Sequence, residues 1–147
     1  MNKYLNYLGN FLENISQKKL IFILIIISII KTGIWYHPLL WHMLEIAKNP
    51  FANVFGDESH KYFLYSSWLG PFIAYAFNLT SKLNFFILHL FFAIFFLISF
   101  IFLIKSRVEK NNQRASLIIF FVLPVSMVSF YWVGYDSLIL LLFTLSV

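Results

Sequence analysis

Residues 83–104 read LNFFILHLFFAIFFLISFIFLI, an apolar run whose only ionisable side chain is that of His89. A helix rises 1.5 Å per residue, so about 20 consecutive apolar residues are needed to cross about 30 Å of hydrocarbon. The run has that length and carries no charged residue. It therefore predicts a transmembrane helix and makes an all-α membrane protein the expected fold class.

The composition of the whole chain favours the same class. Of its 147 residues, 61% are hydrophobic and only 12% are charged, and the mean hydropathy is +0.80. Soluble domains carry about 25% charged residues. The chain has no cysteine, which excludes disulfides, thiolate catalysis and the usual structural zinc sites. We expect one membrane unit over residues 1–147.

Two further apolar stretches and one shorter stretch extend the pattern. Residues 20–36 (LIFILIIISIIKTGIWY) and 115–133 (ASLIIFFVLPVSMVSFYWV) predict the first and third transmembrane helices, with 83–104 as the second. Residues 137–147 would reach only about 16 Å as a helix, so they predict a half-span. The prediction is a polytopic protein with three full spans and a truncated fourth.

The basic residues predict the orientation of these spans. Seven of the eleven Lys and Arg residues lie in the segments 1–19 and 105–114. By the positive-inside rule both segments are cytoplasmic, and so is the N-terminus. Residues 1–19 show apolar side chains at helical spacing, which predicts an amphipathic helix on the inner membrane surface. We expect a multi-pass protein of the bacterial inner membrane.

The nominal pI of about 9.5 does not indicate nucleic acid as a partner. The positive charges are spread along the loops, where they set topology, rather than clustered in one patch. The lipid bilayer is the partner that the composition predicts.

The extracytoplasmic loop, residues 37–82, is expected to lie along the membrane. Apolar residues at helical spacing follow Pro38, and Asn49-Pro50 ends that pattern. A second apolar piece, residues 72–79, is too short to span and predicts an interfacial helix. The loop therefore predicts membrane-parallel helices.

Five polar residues are candidates for a site at the outer boundary: Lys31, Asp57, Glu58, His89 and Asp136. A carboxylate at such a boundary can act as a general base on an acceptor hydroxyl, and a second can hold a divalent cation against a phosphate leaving group. A lysine there neutralises phosphate charge. Structural roles remain open for each residue: snorkelling for Lys31, packing for His89, N-capping for Asp136 and solvated turn positions for the other two.

The order of these elements resembles the N-terminal part of the GT-C class of integral membrane glycosyltransferases. That class is similar in having a large extracytoplasmic loop with an essential acid, followed by a short loop between spans three and four with another acid. Residues 134–143 (GYDSLILLLF) resemble the second acid and its Leu-rich helix. Residues 46–51 (IAKNPF) and 66–71 (SSWLGP) look like the loop of bacterial, mannosyltransferase-like members.

The resemblance implies roles for the five candidates. Asp57 or Glu58 would be the catalytic acid of the loop, Lys31 and His89 would bind the donor phosphate, and Asp136 would hold a divalent cation, Mg²⁺ or Mn²⁺. The donor would be a polyprenyl-phosphate sugar. Because members of the class have many more spans, the resemblance also implies a fragment that is inactive alone and needs its missing C-terminal portion.

Two other functions are compatible with the same residues. A small non-enzymatic polytopic protein can act as an accessory or assembly partner of a larger membrane protein that completes its half-span. A piece of a transporter would use Lys31, His89 and Asp136 to line a path.

Overall fold

The computed structural model describes five ranges of the chain: 9–12, 14–33, 40–51, 68–123 and 135–147. The side chains of four residues within them are not described: Lys31, Thr32, Tyr135 and Asp136. Within these ranges the secondary structure is helical, with no strand. The all-α prediction is confirmed for this part of the chain.

Six helices have defined bounds in the described part. They are α1 (Gln17–Thr32), α2 (Leu40–Lys48), α3 (Leu69–Ala76), α4 (Lys82–Arg107), α5 (Lys110–Val122) and α6 (Tyr135–Ser146).

Helix α4 contains the predicted span 83–104 and extends it at both ends. It has 26 residues with a mean hydropathy of 2.9 in its most apolar window, of which only 28% is buried in the protein. The Ser81 hydroxyl accepts a hydrogen bond from the Asn84 amide at 3.2 Å and caps its first turn. Among the described residues this is the one helix that is long and apolar enough to cross a membrane.

The helices in the other two predicted spans are shorter than expected. Helix α1 has 16 residues and ends at Gly33, whose φ of 71° leaves the helical region. Helix α5 has 13 residues and begins five residues before the predicted start at 115. It ends at Leu123, which is extended (ψ 150°) because the following proline disfavours helical geometry. Residues 34–36 and 124–133 of these predicted spans lie outside the described ranges.

The connection between α4 and α5 is also much shorter than predicted. Residues 105–114 were expected to form a cytoplasmic loop, but α4 continues to Arg107 and α5 starts at Lys110. Only Val108 and Glu109 remain between them. The Lys, Arg and Gln residues in this stretch are good helix formers, so they favour continuation of the helices.

Gln113 holds this tight connection together. Its Nε2 donates to the carbonyl oxygens of Lys105 at 3.0 Å and Val108 at 2.9 Å, which are otherwise orphan acceptors at the end of α4. Its Oε1 accepts from Gln17 Nε2 at 3.2 Å, which ties α1 to the same point.

We expect Gln113→Ala to lower the free energy of unfolding by about 1–3 kcal/mol, because it leaves carbonyl oxygens and the Gln17 amide without partners. Thermal unfolding in detergent micelles measures the change. Asn112→Ala is the matched control, since the exposed Asn112 side chain makes none of these bonds. Equal melting temperatures for the two variants would contradict the role assigned to Gln113.

Hydrogen bonds gather four helix ends at one end of the molecule. Besides the Gln17–Gln113 contact, Arg114 Nη1 donates to the Leu12 carbonyl at 2.6 Å and Arg107 Nη2 donates to the Val147 carbonyl at 3.0 Å. This arrangement brings six basic residues together, and we call it the basic end: Lys18, Lys19, Lys105, Arg107, Lys110 and Arg114. The charge asymmetry seen along the chain is thus also an asymmetry of the folded bundle.

Helices α2 and α3 cover the opposite end, where α4 begins. Their buried side chains pack with Phe85 of α4, and Lys82 Nζ lies 5.7 Å from the ring centroid of Trp41. Trp68 stacks on Phe72 at 4.5 Å, and its indole nitrogen donates to the Pro50 carbonyl at 2.8 Å. Both apolar pieces of the loop contain a helix, but the second, α3, runs from Leu69 to Ala76 and not over the predicted residues 72–79. Their angle to a membrane remains a prediction.

Helix α6 packs along α4 in a parallel direction. Leu138 lies beside the first half of α4, at the end covered by α3, and Val147 meets Arg107 at the basic end. With 12 residues α6 reaches about 18 Å, close to the predicted half-span 137–147. Between these contacts lies a second core of α4 and α5 side chains, centred on Phe100 and Phe120, whose rings stack at 4.1 Å.

Candidate functional site

His89 lies on the buried face of α4, between Phe85 and Ala93 at intervals of four residues. Its side chain is fully buried, and its Nδ1 is 2.9 Å from the Phe85 carbonyl oxygen. A carbonyl oxygen only accepts hydrogen bonds, so Nδ1 must carry the proton. In the neutral imidazole, Nε2 is then an acceptor with a free lone pair.

Nε2 of His89 faces Gly70 of α3. A methyl carbon added to Gly70 would lie 3.1 Å from this nitrogen and 3.7 Å from Cδ2 of Leu138 in α6. Three helices therefore meet at the Gly70 backbone, and a side chain there would push them apart. We call Gly70, Phe85, His89 and Leu138, together with Ser137, which directly precedes Leu138 in α6, the His89 junction.

Two polar atoms of the His89 junction have no hydrogen-bond partner among the described residues. They are Nε2 of His89 and Oγ of Ser137, and both are fully buried. Leaving such an atom unpaired costs about 1–3 kcal/mol, and native proteins contain few of them. The unpaired Nε2, which faces Gly70, and the second unpaired atom on the residue before Leu138 make this junction the strongest candidate for a polar binding site in the described part of the chain.

The predicted residue Asp136 is the immediate neighbour of Ser137. Its backbone is helical and it is the second residue of α6. The helix begins at Tyr135, so Asp136 lies inside the first turn and not at the N-cap that one interpretation gave it. The positive end of the helix dipole favours a carboxylate at this position. The backbone of Asp136 lies two residues before Leu138 of the His89 junction along α6.

The other predicted residues are not brought together by the described structure. Lys31 is in the last turn of α1, whose main packing partner is α5. Asp57 and Glu58 lie outside the described residues. Their assignment to a common site with His89 remains a prediction.

Gly70 and Ser137 belong to the junction but were not predicted as site residues. Each lies in a stretch that was singled out, 66–71 and 134–143, yet a glycine and a serine carry no charge that would indicate a role. The signal for Ser137 is its place beside an acid at the start of an apolar segment. For Gly70, only the packing of α3 on α4 shows that a small residue is needed.

The predicted cation site involves residues whose side chains the structure does not describe. Within the described ranges, no three His, Asp or Glu side chains come close enough to hold a metal ion. Asp57, Glu58 and the side chain of Asp136 are not in that set. Mg²⁺ or Mn²⁺ binding therefore stays a prediction.

Comparisons with known proteins add no family to these observations. No protein-family model matches the chain, and no curated protein or solved structure matches it. The GT-C resemblance of residues 134–143 rests on the motif and the order of the helices.

Proposed function

We propose that this chain is the N-terminal portion of a polytopic glycosyltransferase of the bacterial inner membrane, which takes a sugar from a polyprenyl-phosphate donor on the extracytoplasmic side. The observation that supports it best is the His89 junction, a buried polar site beside Asp136. The junction lies at the end of the bundle opposite the basic end. Since basic ends stay in the cytoplasm, the junction would face outward.

Exposed apolar side chains support insertion into a bilayer. Soluble monomers rarely expose contiguous apolar patches of more than a few hundred Å². Here α1, α4 and α6 each present a row of exposed large apolar residues, among them Phe22, Ile26, Ile27 and Ile30 of α1, Phe91, Phe95, Ile98 and Phe102 of α4, and Ile139, Leu142, Phe143 and Leu145 of α6. Lipid chains would cover these surfaces.

The proposed chemistry divides the polar residues by role. Asp57 or Glu58 removes a proton from the acceptor hydroxyl, and Lys31 neutralises charge on the donor phosphate. Asp136 would hold a divalent cation, which would supply positive charge to offset the negative charge on the leaving phosphate.

The tautomer of His89 refines its proposed role. With its proton on Nδ1, the side chain offers only an acceptor at Nε2. A phosphate oxygen needs a donor, so neutral His89 suits a hydroxyl group of the sugar or acceptor better. Binding a phosphate would require a second proton on the ring.

An accessory protein is the second candidate function. Helix α6 leaves Leu142, Phe143 and Leu145 exposed and spans only about 18 Å. The same apolar surface that would face lipid can pack against a helix of a larger membrane protein.

The proposed orientation can be tested by cysteine labelling, because the chain contains no cysteine of its own. In spheroplasts we expect a membrane-impermeant maleimide to label Asn49→Cys, at the end covered by α2 and α3. We expect Asn112→Cys, near the basic end, to react only after permeabilisation. Both positions are exposed in the protein, and the cysteine-free parent gives the background. Labelling of Asn112→Cys from outside would overturn an extracytoplasmic His89 junction.

A further inference from the structure

A groove of about 670 Å³ lies at the basic end, between the residues Asn10, Phe11, Asn14 and Ile15 and the first turns of α1. Four of its lining residues carry hydrogen-bond donors: Asn10, Asn14, Ser16 and Lys19. Three others are apolar: Phe11, Ile15 and Ile23. The groove is thus amphipathic, and its size falls in the range of small-molecule sites.

The donor side of the groove is ordered and positively charged. Asn14 Nδ2 donates to the Asn10 carbonyl at 2.8 Å, which fixes the turn that carries both amides. Lys19 forms no ion pair with a carboxylate of the described residues, and its side chain is exposed. In the sequence, the segments 9–19 and 105–114 contain six basic residues and two acidic residues, Glu13 and Glu109. The net positive charge of these segments favours an anion.

One apolar residue of the groove, Ile23, lies deeper along α1 than Lys19, whereas Phe11 and Ile15 precede the helix. Ile23 is four residues beyond Lys19, which is about 6 Å along the helix axis. In the proposed orientation this places Lys19 at the depth of the lipid headgroups and Ile23 in the acyl region. Phe11 is about half exposed at the groove. A ligand with an anionic head and an apolar tail would match both parts.

We propose that this groove binds an anionic glycerophospholipid of the inner leaflet, with Lys19 paired to the lipid phosphate and Phe11 and Ile23 in contact with an acyl chain. Basic residues at the cytoplasmic surface attract anionic lipids in this way. The proposal rests on the proposed insertion and orientation in the membrane. It does not depend on sugar transfer.

Titration of the full chain in neutral detergent micelles with short-chain phosphatidylglycerol tests the proposal, with native mass spectrometry counting the bound lipid. We expect Lys19→Gln to weaken binding about fivefold, the effect of one basic residue near an anionic surface. Lys18→Gln is the matched control: it removes the same charge from the adjacent exposed residue, which does not line the groove. Equal weakening by both substitutions would indicate a diffuse surface charge and overturn the site.

Two competitors distinguish the source of the phosphate. The first competitor is sn-glycerol 3-phosphate, which has the phosphate head but no acyl chain. We expect that it does not displace the lipid at about tenfold excess over the lipid concentration. The second competitor is phosphatidylcholine of the same chain length. We expect its affinity for the parent protein to be as low as the affinity of phosphatidylglycerol for the Lys19→Gln variant. Displacement by glycerol phosphate would assign the groove to a soluble anion, and tight phosphatidylcholine binding would remove the charge argument. Either result overturns the proposal, while the maleimide labelling reports membrane orientation separately.

Discussion

Under the proposed function, Asp136→Asn is expected to lower sugar transfer by the complete enzyme by about three powers of ten while membrane insertion is unchanged. Asparagine keeps the shape of the side chain but removes the negative charge that would hold a divalent cation at the leaving phosphate. Loss of such metal-assisted charge stabilisation costs several kcal/mol in the transition state, and each 1.36 kcal/mol is a factor of ten in rate. Transfer from a radiolabelled polyprenyl-phosphate sugar in membrane vesicles measures the effect.

The position of Asp136 separates this functional role from a structural one. As the second residue of α6 it can favour the helix dipole, which contributes about 0.3–1 kcal/mol. If the role of Asp136 is purely structural, Asp136→Asn should lower the melting temperature slightly and leave sugar transfer unchanged. Glu109→Gln is the control, since it removes one carboxylate charge just before α5 at the basic end. Full transfer by Asp136→Asn would leave only the structural role.

Gly70→Val is expected to lower the free energy of unfolding by about 1–3 kcal/mol, the usual cost of overpacking a well-packed core. Even the first carbon of the new side chain would lie 3.1 Å from Nε2 of His89. The imidazole cannot retreat easily, because its Nδ1 is bonded to the Phe85 carbonyl and the Phe85 ring lies 4.4 Å from the imidazole centroid. Helix α3 must then move away from α4. Thermal unfolding in micelles measures the loss.

Gly9→Val is the matched control for this substitution. A side-chain carbon at Gly9 would meet nothing within 4 Å. The change in stability caused by Gly9→Val therefore reports the helix propensity of valine relative to glycine, without a steric clash. Adding His89→Ala to Gly70→Val should recover part of the lost stability, because it removes the ring that the valine strikes. Equal melting temperatures for the Gly70→Val and Gly9→Val variants would show that α3 does not pack against His89.

Local sequence patterns predicted the helices where one signal was strong. The uninterrupted apolar run 83–104 predicted α4, and the Ser81 hydroxyl caps its start as serine commonly does. Residues 137–147 predicted the short α6 within two residues at its start. Predictions were less accurate where polar residues met apolar ones. Lys105 and Arg107 look like loop residues in the sequence, but they continue α4 because Gln113 satisfies the end of the helix.

The candidate site was predictable only in part. His89 is a predictable candidate because it is the only ionisable residue of the apolar run 83–104, and the fold does bury its side chain. The sequence contains no indication that its partners across the junction are Gly70 and Leu138, which are 19 and 49 positions away. The sequence predicts Asp136 as a site residue and does not predict the neighbouring Ser137. Contacts of this kind depend on how helices pack, and periodicity within one helix does not report them.

The sequence by itself determined the helical class, the long apolar helix α4 and the uneven distribution of charge, because these depend on residue type and on spacing within one segment. Only the tertiary structure decided that the basic residues of α1, α4 and α5 meet at one end and that His89, Gly70 and Leu138 meet toward the other. Helix packing selects partners by shape, and a glycine or an alanine acquires its importance from the side chain opposite it. That complementarity exists only once the helices are assembled.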